Sequence, residues 1–304
     1  MLFTLSLASA LTTAALAAQA ASTAEVREFP GGKEIPHQKY IHMVSEKDSP
    51  VEQTYIKSKD GLYVAAAIRK PAKGNGPFPV LIHFHGAPGG RGMEQITGWA
   101  RGDHGSPVFG TFLQQGYVIV IADYRAMNMA ALADGFAPNA VTYADDALAV
   151  LEHVRKLPYV NPDRITVYGV SLGGDVTMHL LTRTKVHKAI LGAGAPISFL
   201  GAKGKPGATG ADRFKDITVD PKAKERVAKV DTPVLIQVGT ADSLIGLDRA
   251  LYEELKAAGK PVRLEIYENG YHDFVMGPQG QPNRAEPLLD ITLKAMENSL
   301  AWAK

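Results

Sequence analysis

One serine of the chain lies in a Gly-x-Ser-x-Gly pattern, formed by Gly169, Ser171 and Gly173. The β-branched, apolar run 164–168 before it predicts a strand, and the composition of 175–184 after it predicts a helix. Between a strand and a helix, this pattern is typical of a sharp turn that raises the serine hydroxyl above the strand ends. The flanking glycines are required because a Cβ at either position would collide with the turn. Ser171 is therefore the candidate nucleophile.

A serine hydroxyl becomes a good nucleophile at neutral pH only when an imidazole accepts its proton. His272 is the predicted base, because it lies in a glycine-containing loop after the last predicted strand, 262–267. The competing histidines fit other roles better. His83 is predicted on a buried strand, and His104 lies in a polar loop where it could touch substrate, although the composition favours a surface role.

The imidazole in turn needs a carboxylate that fixes its tautomer and stabilises its cation. Asp242 is the predicted acid, since it ends the turn that follows the apolar strand 233–238. Asp248 falls inside a predicted helix, and Asp231 precedes the strand, at the opposite end of the sheet. Asp273 adjoins the histidine, where the backbone geometry is expected to draw it away from the ring.

Strands and helices alternate from Val80 onward, which predicts an α/β protein with a mostly parallel sheet and helices on both faces. An Asp-Gly turn between the strand-like runs 53–57 and 62–69 adds an N-terminal antiparallel hairpin. Ligands of such sheets bind at the carboxyl ends of the strands. The candidate serine, aspartate and histidine each follow a predicted strand, so we expect them to converge at one edge.

An acyl-transfer site also needs N–H donors for the developing oxyanion. The backbone N–H of Leu172, directly after the serine, is one expected donor. The second should come from the loop after Phe84, where Ala87 is the better candidate and Gly86 the second. Pro88 is excluded because proline has no N–H.

A metal site is an alternative interpretation of His83 and His85, which are two residues apart on a predicted strand and could share a face. No third ligand is marked by its spacing, and the side chain of His85 is expected to brace the loop that follows it. The sequence therefore predicts neither a metal nor a cofactor.

Three stretches could line a substrate pocket. They are the polar loop 91–105 near Trp99, the loop 126–139 near Met127, and the irregular segment 195–229 near Phe199. The last is interpreted either as a small lid or insertion over the site, or as a flexible surface excursion.

The composition is that of a globular protein with one large core: 304 residues, 45% hydrophobic and 21% charged. A net charge of +2 without a basic block gives no indication of nucleic-acid binding. The absence of cysteine excludes a thiol nucleophile, disulfides and thiolate metal sites. The expected ligand is a small molecule.

The N-terminus predicts export. Residues 1–20 are apolar or small and end in Ala18-Gln19-Ala20, which fits a signal-peptide cleavage site. The segment is too short and too alanine-rich for a membrane span, so a removable signal is the favoured interpretation and no stable membrane insertion is expected after its removal. The expected destination is a periplasm or the medium, or the cytoplasm if the segment is not a signal. Residues 21–52 are expected to be an irregular lead-in, and 53–304 one catalytic domain.

Four motifs in order resemble the prolyl oligopeptidase and dienelactone hydrolase branch of the α/β-hydrolase superfamily. The resemblance covers about two thirds of the chain. The first motif, HGAP, is similar to the HGGP loop of acylaminoacyl peptidases, and the other three match the serine turn, the acid strand and the histidine loop. The motifs are HGAP at 85–88, GVSLGG at 169–174, TPVLIQVGTAD at 232–242 and ENGYHDF at 268–274.

The resemblance implies an α/β-hydrolase fold, a serine hydrolase, and an oxyanion N–H at the position of Ala87. Family peptidases carry a large β-propeller before the catalytic domain, for which this chain has no room. They also carry Val-Pro shortly after the acid, where this chain has Leu244-Ile245-Gly246. Both departures favour a carboxylesterase acting on a small ester, with a peptidase as the alternative. A non-catalytic binding protein of this fold is disfavoured, since that class typically loses the serine or the histidine.

Overall fold

The computed structural model describes most of the chain. The described residues are 24–34, 50–87, 89–102, 107–125, 137–206, 212, 214–215, 217–277 and 289–304, without the side chains of 107 and 137–139. The predicted signal peptide, His104 and Met127 lie outside these residues.

The described residues contain nine strands that form one sheet in the order β1-β9-β8-β7-β6-β4-β5-β3-β2. All neighbouring strands run parallel except β2 with β3 and β3 with β5, which are antiparallel. The predicted hairpin and mostly parallel sheet are thus confirmed. The strands are β1 (Glu25–Phe29), β2 (Val51–Lys57), β3 (Tyr63–Arg69), β4 (Phe78–Phe84), β5 (Val118–Ala122), β6 (Val160–Ser171), β7 (Lys188–Gly194), β8 (Val234–Gly239) and β9 (Val262–Tyr267).

Eight α-helices of the described residues connect and cover these strands. They are α1 (Met93–Arg101), α2 (Pro107–Gln114), α3 (Ala137–Arg155), α4 (Leu172–Leu181), α5 (Ile197–Leu200), α6 (Ala223–Ala228), α7 (Ile245–Ala257) and α8 (Asp290–Ala303). A 3₁₀ turn, Phe274–Met276, follows β9.

The sheet separates two hydrophobic cores, as the near-continuous apolar strands require. In β5, Val118 and Val120 face one core, while Ile119 and Ile121 face the other. The first core is closed by apolar residues of α3, α4 and α7, and the second by residues of α1, α2 and α8. Helices therefore cover both faces, as the sequence predicted.

Two expectations are corrected by the structure. Glu25–Phe29 lies in the segment 21–52, expected to be irregular, but forms strand β1 and pairs in parallel with β9. The carbonyl of Phe29 also accepts the N–H of Glu268, 2.9 Å away, just after β9. The stretch 91–105, expected to be a polar loop, contains helix α1, whose buried face packs on the sheet.

The segment 195–229 is more regular in its described part than the sequence suggested. It contains α5 and α6, and a β-bridge joins Lys203 to Thr218. Phe199 and Val227 are buried in the first core. Its role as a lid stays a prediction.

None of the helices in the described ranges has both the length and the apolar character that crossing a membrane requires.

Candidate active site

Ser171 lies at the sharp turn where β6 ends and α4 begins. Its backbone has φ 52°, a conformation that a non-glycine residue adopts only under constraint. A Cβ placed on Gly173 would lie 1.9 Å from the carbonyl oxygen of Phe84 at the end of β4. The pattern therefore needs glycine there because α4 starts in direct contact with the neighbouring strand.

The three candidate side chains meet at the carboxyl edge of the sheet. His272 Nε2 lies 3.0 Å from Ser171 Oγ, and His272 Nδ1 lies 2.9 Å from Asp242 Oδ2. The Asp242 side chain has no exposed surface, whereas that of His272 is 34% exposed. In this arrangement the Nδ1–H donates to the carboxylate and leaves Nε2 to accept the serine proton.

Backbone contacts hold the loops of the acid and the histidine together. The N–H of Ala241 donates to the carbonyl of Gly270 at 2.9 Å, and the N–H of Asn269 donates to the Thr240 hydroxyl at 2.8 Å. These bonds join the turn after β8 to the turn after β9. The separation between Asp242 and the histidine is consequently set by main-chain structure.

Asp242 keeps its orientation through a second bond, since its Oδ1 accepts the N–H of Leu244 at 2.8 Å. Asp248, the other acid considered from the sequence, is fully buried in the first turn of α7. Neither of its carboxylate oxygens has a hydrogen-bond partner among the residues that the structure describes. Burial, and then the charge of Asp242, raise the pKa of Asp248 well above its usual value.

Asp273 does not occupy the position of the orienting acid. Its Oδ1 lies 3.5 Å from His272 Nε2, the nitrogen that faces the serine, and not beside Nδ1. Its backbone has φ 65°, which turns the chain directly after the histidine. Asp242 alone of the candidate acids contacts Nδ1 within the part of the chain that the structure describes.

The loop after β4 abuts the serine. A Cβ on Gly86 would lie 3.1 Å from the Cβ of Ser171, so the backbone of this loop forms one wall of the site. The next residue, Ala87, has its carbonyl held by the Arg91 side chain at 2.6 Å. Leu172, the other expected oxyanion donor, is the first residue of α4.

His85 braces this loop, as the sequence suggested, and its partner Asp123 was not anticipated. His85 Nε2 lies 3.0 Å from the Asp123 carboxylate at the end of β5. The same carboxylate accepts the N–H groups of Gly90, Arg91 and Gly92 at 2.7–3.1 Å. In the sequence, the role of Asp123 could have been inferred only from its position as an acidic residue directly after the predicted strand that neighbours this loop.

His83, which the sequence placed on a buried strand, lies in β4 between two aromatic rings. Its ring centroid lies 5.0 Å from that of Phe109 and 6.0 Å from that of Tyr168. Burial, and then the charge of His85, lower the pKa of His83 to about 3, so the ring is neutral. No group of three or more His, Cys, Asp or Glu residues among the described ones is arranged to hold a metal.

The three residues that mark the candidate substrate loops can be located only in part, and the lining of a pocket by these loops stays a prediction. Trp99 lies on α1, is 8% exposed, and packs its ring 5.6 Å from the His85 ring. Phe199 has no exposed surface and packs against His179 in the first core, so a contact with substrate there must come from neighbouring residues. Met127 lies outside the described residues.

The segment that carries Phe199 is hydrogen-bonded to α4, the helix that follows Ser171. The buried Asp175 carboxylate of α4 accepts the N–H groups of Ser198 and Phe199 at 3.0 and 2.8 Å, which caps the start of α5. The Ser198 hydroxyl also donates to Asp175 at 2.7 Å. Burial raises the pKa of Asp175 to about 6, although these hydrogen bonds act in the opposite direction.

Known proteins of related sequence include one curated relative with a peptidase name. The chain is similar to an uncharacterized peptidase, YuxL, of Bacillus subtilis (strain 168), with 25% identity over 252 residues. The alignment covers 73% of this chain and 35% of that protein. The chain therefore spans about a third of the length of this relative.

Two solved structures illustrate the likeness in fold. The acylaminoacyl peptidase of Pyrococcus horikoshii matches with a TM-score of 0.60 and 20% identity, over 88% of this chain and 43% of that one. A mutant of the esterase rPPE matches with a TM-score of 0.59 and 18% identity, over 87% of this chain and 88% of that one. Both likenesses confirm the predicted α/β-hydrolase fold.

The sequence match to a family is the stronger result. A model of the dienelactone hydrolase family matches residues 93–302, more than half of the chain. This match includes β6 with its serine turn and the loops that carry Asp242 and His272. The chain thus belongs to the dienelactone hydrolase family.

Proposed function

We propose that this protein is a serine hydrolase that cleaves carboxylic esters through an acyl-enzyme on Ser171. The observation that carries the proposal is the pair of contacts made by His272, 3.0 Å from Ser171 Oγ and 2.9 Å from Asp242 Oδ2. A serine, an imidazole and a buried carboxylate in this order form the machinery of nucleophilic acyl transfer.

In the acylation step, Ser171 Oγ attacks the ester carbonyl while His272 Nε2 accepts the serine proton. The resulting imidazolium is stabilised by Asp242 through its Nδ1–H. The C–O bond to the alcohol then breaks, and His272 returns the proton to the leaving alkoxide, which departs as the alcohol. The acyl group remains bonded to Ser171.

Deacylation repeats the same steps with water as the nucleophile. The water oxygen attacks the acyl carbonyl while His272 Nε2 accepts a proton from the water. The bond between the acyl carbon and Ser171 Oγ then breaks, and His272 returns the proton to Oγ. The carboxylic acid leaves and the free serine is restored. In both steps the negative oxygen is stabilised by the N–H groups of Leu172 and Ala87, whose elements meet beside the serine.

An ester is preferred over a peptide as the substrate. One solved structure of similar fold is an esterase, rPPE, which matches over 87% of this chain. The stretch after the acid, Leu244-Ile245-Gly246, also departs from the Val-Pro of the peptidases. Peptidase activity is the second candidate function, and the peptidase name of the curated relative favours it.

Active-site labelling and substrate comparison test the proposal. A fluorophosphonate probe is expected to modify the wild-type protein at Ser171 and to leave the folded S171A variant unmodified. Turnover of p-nitrophenyl esters of graded chain length should exceed turnover of aminoacyl p-nitroanilides in kcat/KM. The absence of an adduct on the folded protein would refute the serine mechanism, and equal efficiency on anilides would replace the esterase by the peptidase.

A further inference from the structure

The ring of His85 lies between two hydrogen-bond acceptors. Its Nε2 lies 3.0 Å from an Asp123 oxygen, and its Nδ1 lies 2.7 Å from the carbonyl oxygen of Gly86. The residue is only 2% exposed, so water does not replace either partner. Neither a carbonyl nor an ionised carboxylate can supply a proton to the ring.

A neutral imidazole carries one N–H, and the second ring nitrogen bears a lone pair. In either neutral tautomer, this lone pair would face the lone pairs of Gly86 O or of the Asp123 carboxylate. Such a contact in a buried site is unfavourable, whereas an imidazolium satisfies both acceptors with one N–H each.

We propose that His85 is doubly protonated in the resting protein, and that this imidazolium, paired with Asp123, aims and strengthens the Ala87 N–H as an oxyanion donor. The first half of this proposal concerns the protein alone. The second half rests on the proposed hydrolase function.

The state of Asp123 agrees with a charged pair. Burial opposes its ionisation, but the bonds from His85 and from backbone N–H groups outweigh burial and lower the pKa of Asp123. Its Oδ1 and Oδ2 together accept bonds from four backbone N–H groups besides the ring. These donors are Gly90, Arg91, Gly92 and Tyr124. A buried ion pair is stable when its remaining lone pairs are satisfied in this way.

Among the described residues, the other titratable groups around the ring do not compete for this role. On β4, His83 is neutral, since burial and the His85 charge lower its pKa to about 3. After β5, burial and the Asp123 charge raise the pKa of Tyr124 well above 10, so its hydroxyl stays protonated. Arg91 contributes a positive charge that is bound to the Ala87 carbonyl, and the neutral Trp99 of α1 covers the ring.

Because a trans peptide is planar, the carbonyl of Gly86 and the N–H of Ala87 point in opposite directions. Holding Gly86 O on the His85 ring therefore fixes the direction of the Ala87 N–H. The flanking carbonyls are also held, His85 O by the Tyr124 hydroxyl at 2.9 Å and Ala87 O by Arg91 at 2.6 Å. Three consecutive carbonyls are thus turned toward side chains.

A charged donor on Gly86 O also polarises this peptide, since hydrogen bonds in a chain strengthen one another. Electron density drawn toward the carbonyl makes the Ala87 N–H a stronger donor. No proton moves during this effect, so His85 is a positioning residue and not a proton carrier.

The protonation state can be measured without any substrate. In the ¹⁵N-histidine-labelled wild-type protein at pH 7.5, the His85 ring is expected to show two protonated nitrogens, each coupled to its own proton. The H85Q variant assigns the signals by their loss, and H153Q, on α3 away from the site, is the matched control. A single protonated nitrogen on His85 would overturn the proposal.

Kinetics test the effect on the oxyanion donor. Replacement of His85 by Gln, or of Asp123 by Asn, is expected to lower kcat on an activated ester by roughly 10- to 100-fold, with KM nearly unchanged. This effect is smaller than that of removing an oxyanion N–H donor altogether, because the Ala87 N–H is still present. In D123N, the His85 ring should also lose one of its two protons at pH 7.5. An unchanged kcat in both variants would refute the link to catalysis.

The two proposals fail in different ways. If S171A retains esterase activity, the hydrolase mechanism is wrong, but the spectrum of His85 is unaffected. If the spectrum shows a neutral ring while S171A is inactive, the inference about His85 is wrong and the hydrolase mechanism stands. Where H85Q does not fold, the wild-type spectrum and D123N still decide the matter.

Discussion

The backbone of Gly270 runs so close to Gly239 that a Cβ on Gly239 would lie 1.9 Å from the Gly270 carbonyl oxygen. This contact joins the end of β8 to the loop that carries the histidine. It sets the distance between Asp242 and His272 before any side chain is considered.

Gly239→Ala is expected to push the histidine loop away and to lower both stability and activity. Overpacking in cores typically costs 1–3 kcal/mol, and a clash with rigid backbone should reach about 3 kcal/mol or more. Chemical denaturation and ester turnover measure the two effects. Gly259→Ala is the control, because a Cβ there meets nothing within 4 Å and only its φ of 68° is strained. Equal turnover in both variants would contradict this explanation.

Asp242→Asn should leave the fold intact and lower kcat by about ten-thousandfold, because an amide favours the wrong tautomer of His272. The measurement is steady-state turnover of an activated ester, with a thermal melt to confirm folding. Asp231→Asn is the matched control, since Asp231 is an exposed partner of Lys260 before β8. A loss below tenfold in D242N would show that Asp242 does not orient the base.

Two substitutions of Ala87 distinguish the role of its backbone N–H as an oxyanion donor from any role of its side chain. Ala87→Gly keeps the N–H and should change kcat by less than about threefold, whereas Ala87→Pro removes the N–H and should lower kcat about 100- to 1,000-fold. Both variants are compared at saturating ester, after circular dichroism has confirmed the fold. A fully active A87P would transfer the donor role to another residue, with Gly86 the next candidate.

The free energy of unfolding of Asp248→Asn is expected to exceed that of the wild type by an amount that grows as the pH rises. Burial and the Asp242 charge raise the pKa of Asp248 in the folded state, so the native protein binds a proton that the unfolded chain releases above about pH 4. The wild type therefore loses about 1.4 kcal/mol per pH unit from this group, up to its folded pKa. The variant carries no such loss.

The measurement for Asp248 is the difference in Tm between D248N and the wild type from pH 4 to pH 8. The difference should be small near pH 4 and grow with pH before it levels off. A D248N difference that does not depend on pH would show that the carboxylate has a stabilising partner.

Much of the fold followed from local pattern. β9 was predicted at 262–267, its observed bounds, and the predicted strand 233–238 differs from β8 by one residue at each end, because both runs are rich in β-branched and apolar residues. The turn at Ser171 followed from its glycines and from the strand before it.

The elements that the sequence missed depend on distant partners. β1 has mostly polar, exposed residues, and its pairing partner Arg263 lies 238 residues beyond Glu25. Helix α1 has Gly92 before it and no side-chain cap at its start, and its amphipathic pattern extends over only nine residues, which is too short to stand out from the polar loop around it. The role of Asp123 depends on backbone N–H groups of the loop 90–92, which a sequence does not display.

The pairing of β1 with β9 limits how much of the amino end can be removed without loss of a strand from the sheet. Cleavage after Ala20, as the sequence predicts, leaves all of β1 in the processed chain. A cut ten residues later would remove β1 from β9, and with it the Phe29 carbonyl that holds Glu268 at the start of the histidine loop. Removal of residues 1–30 would therefore weaken the histidine loop, although His272 lies more than 240 residues away in the sequence.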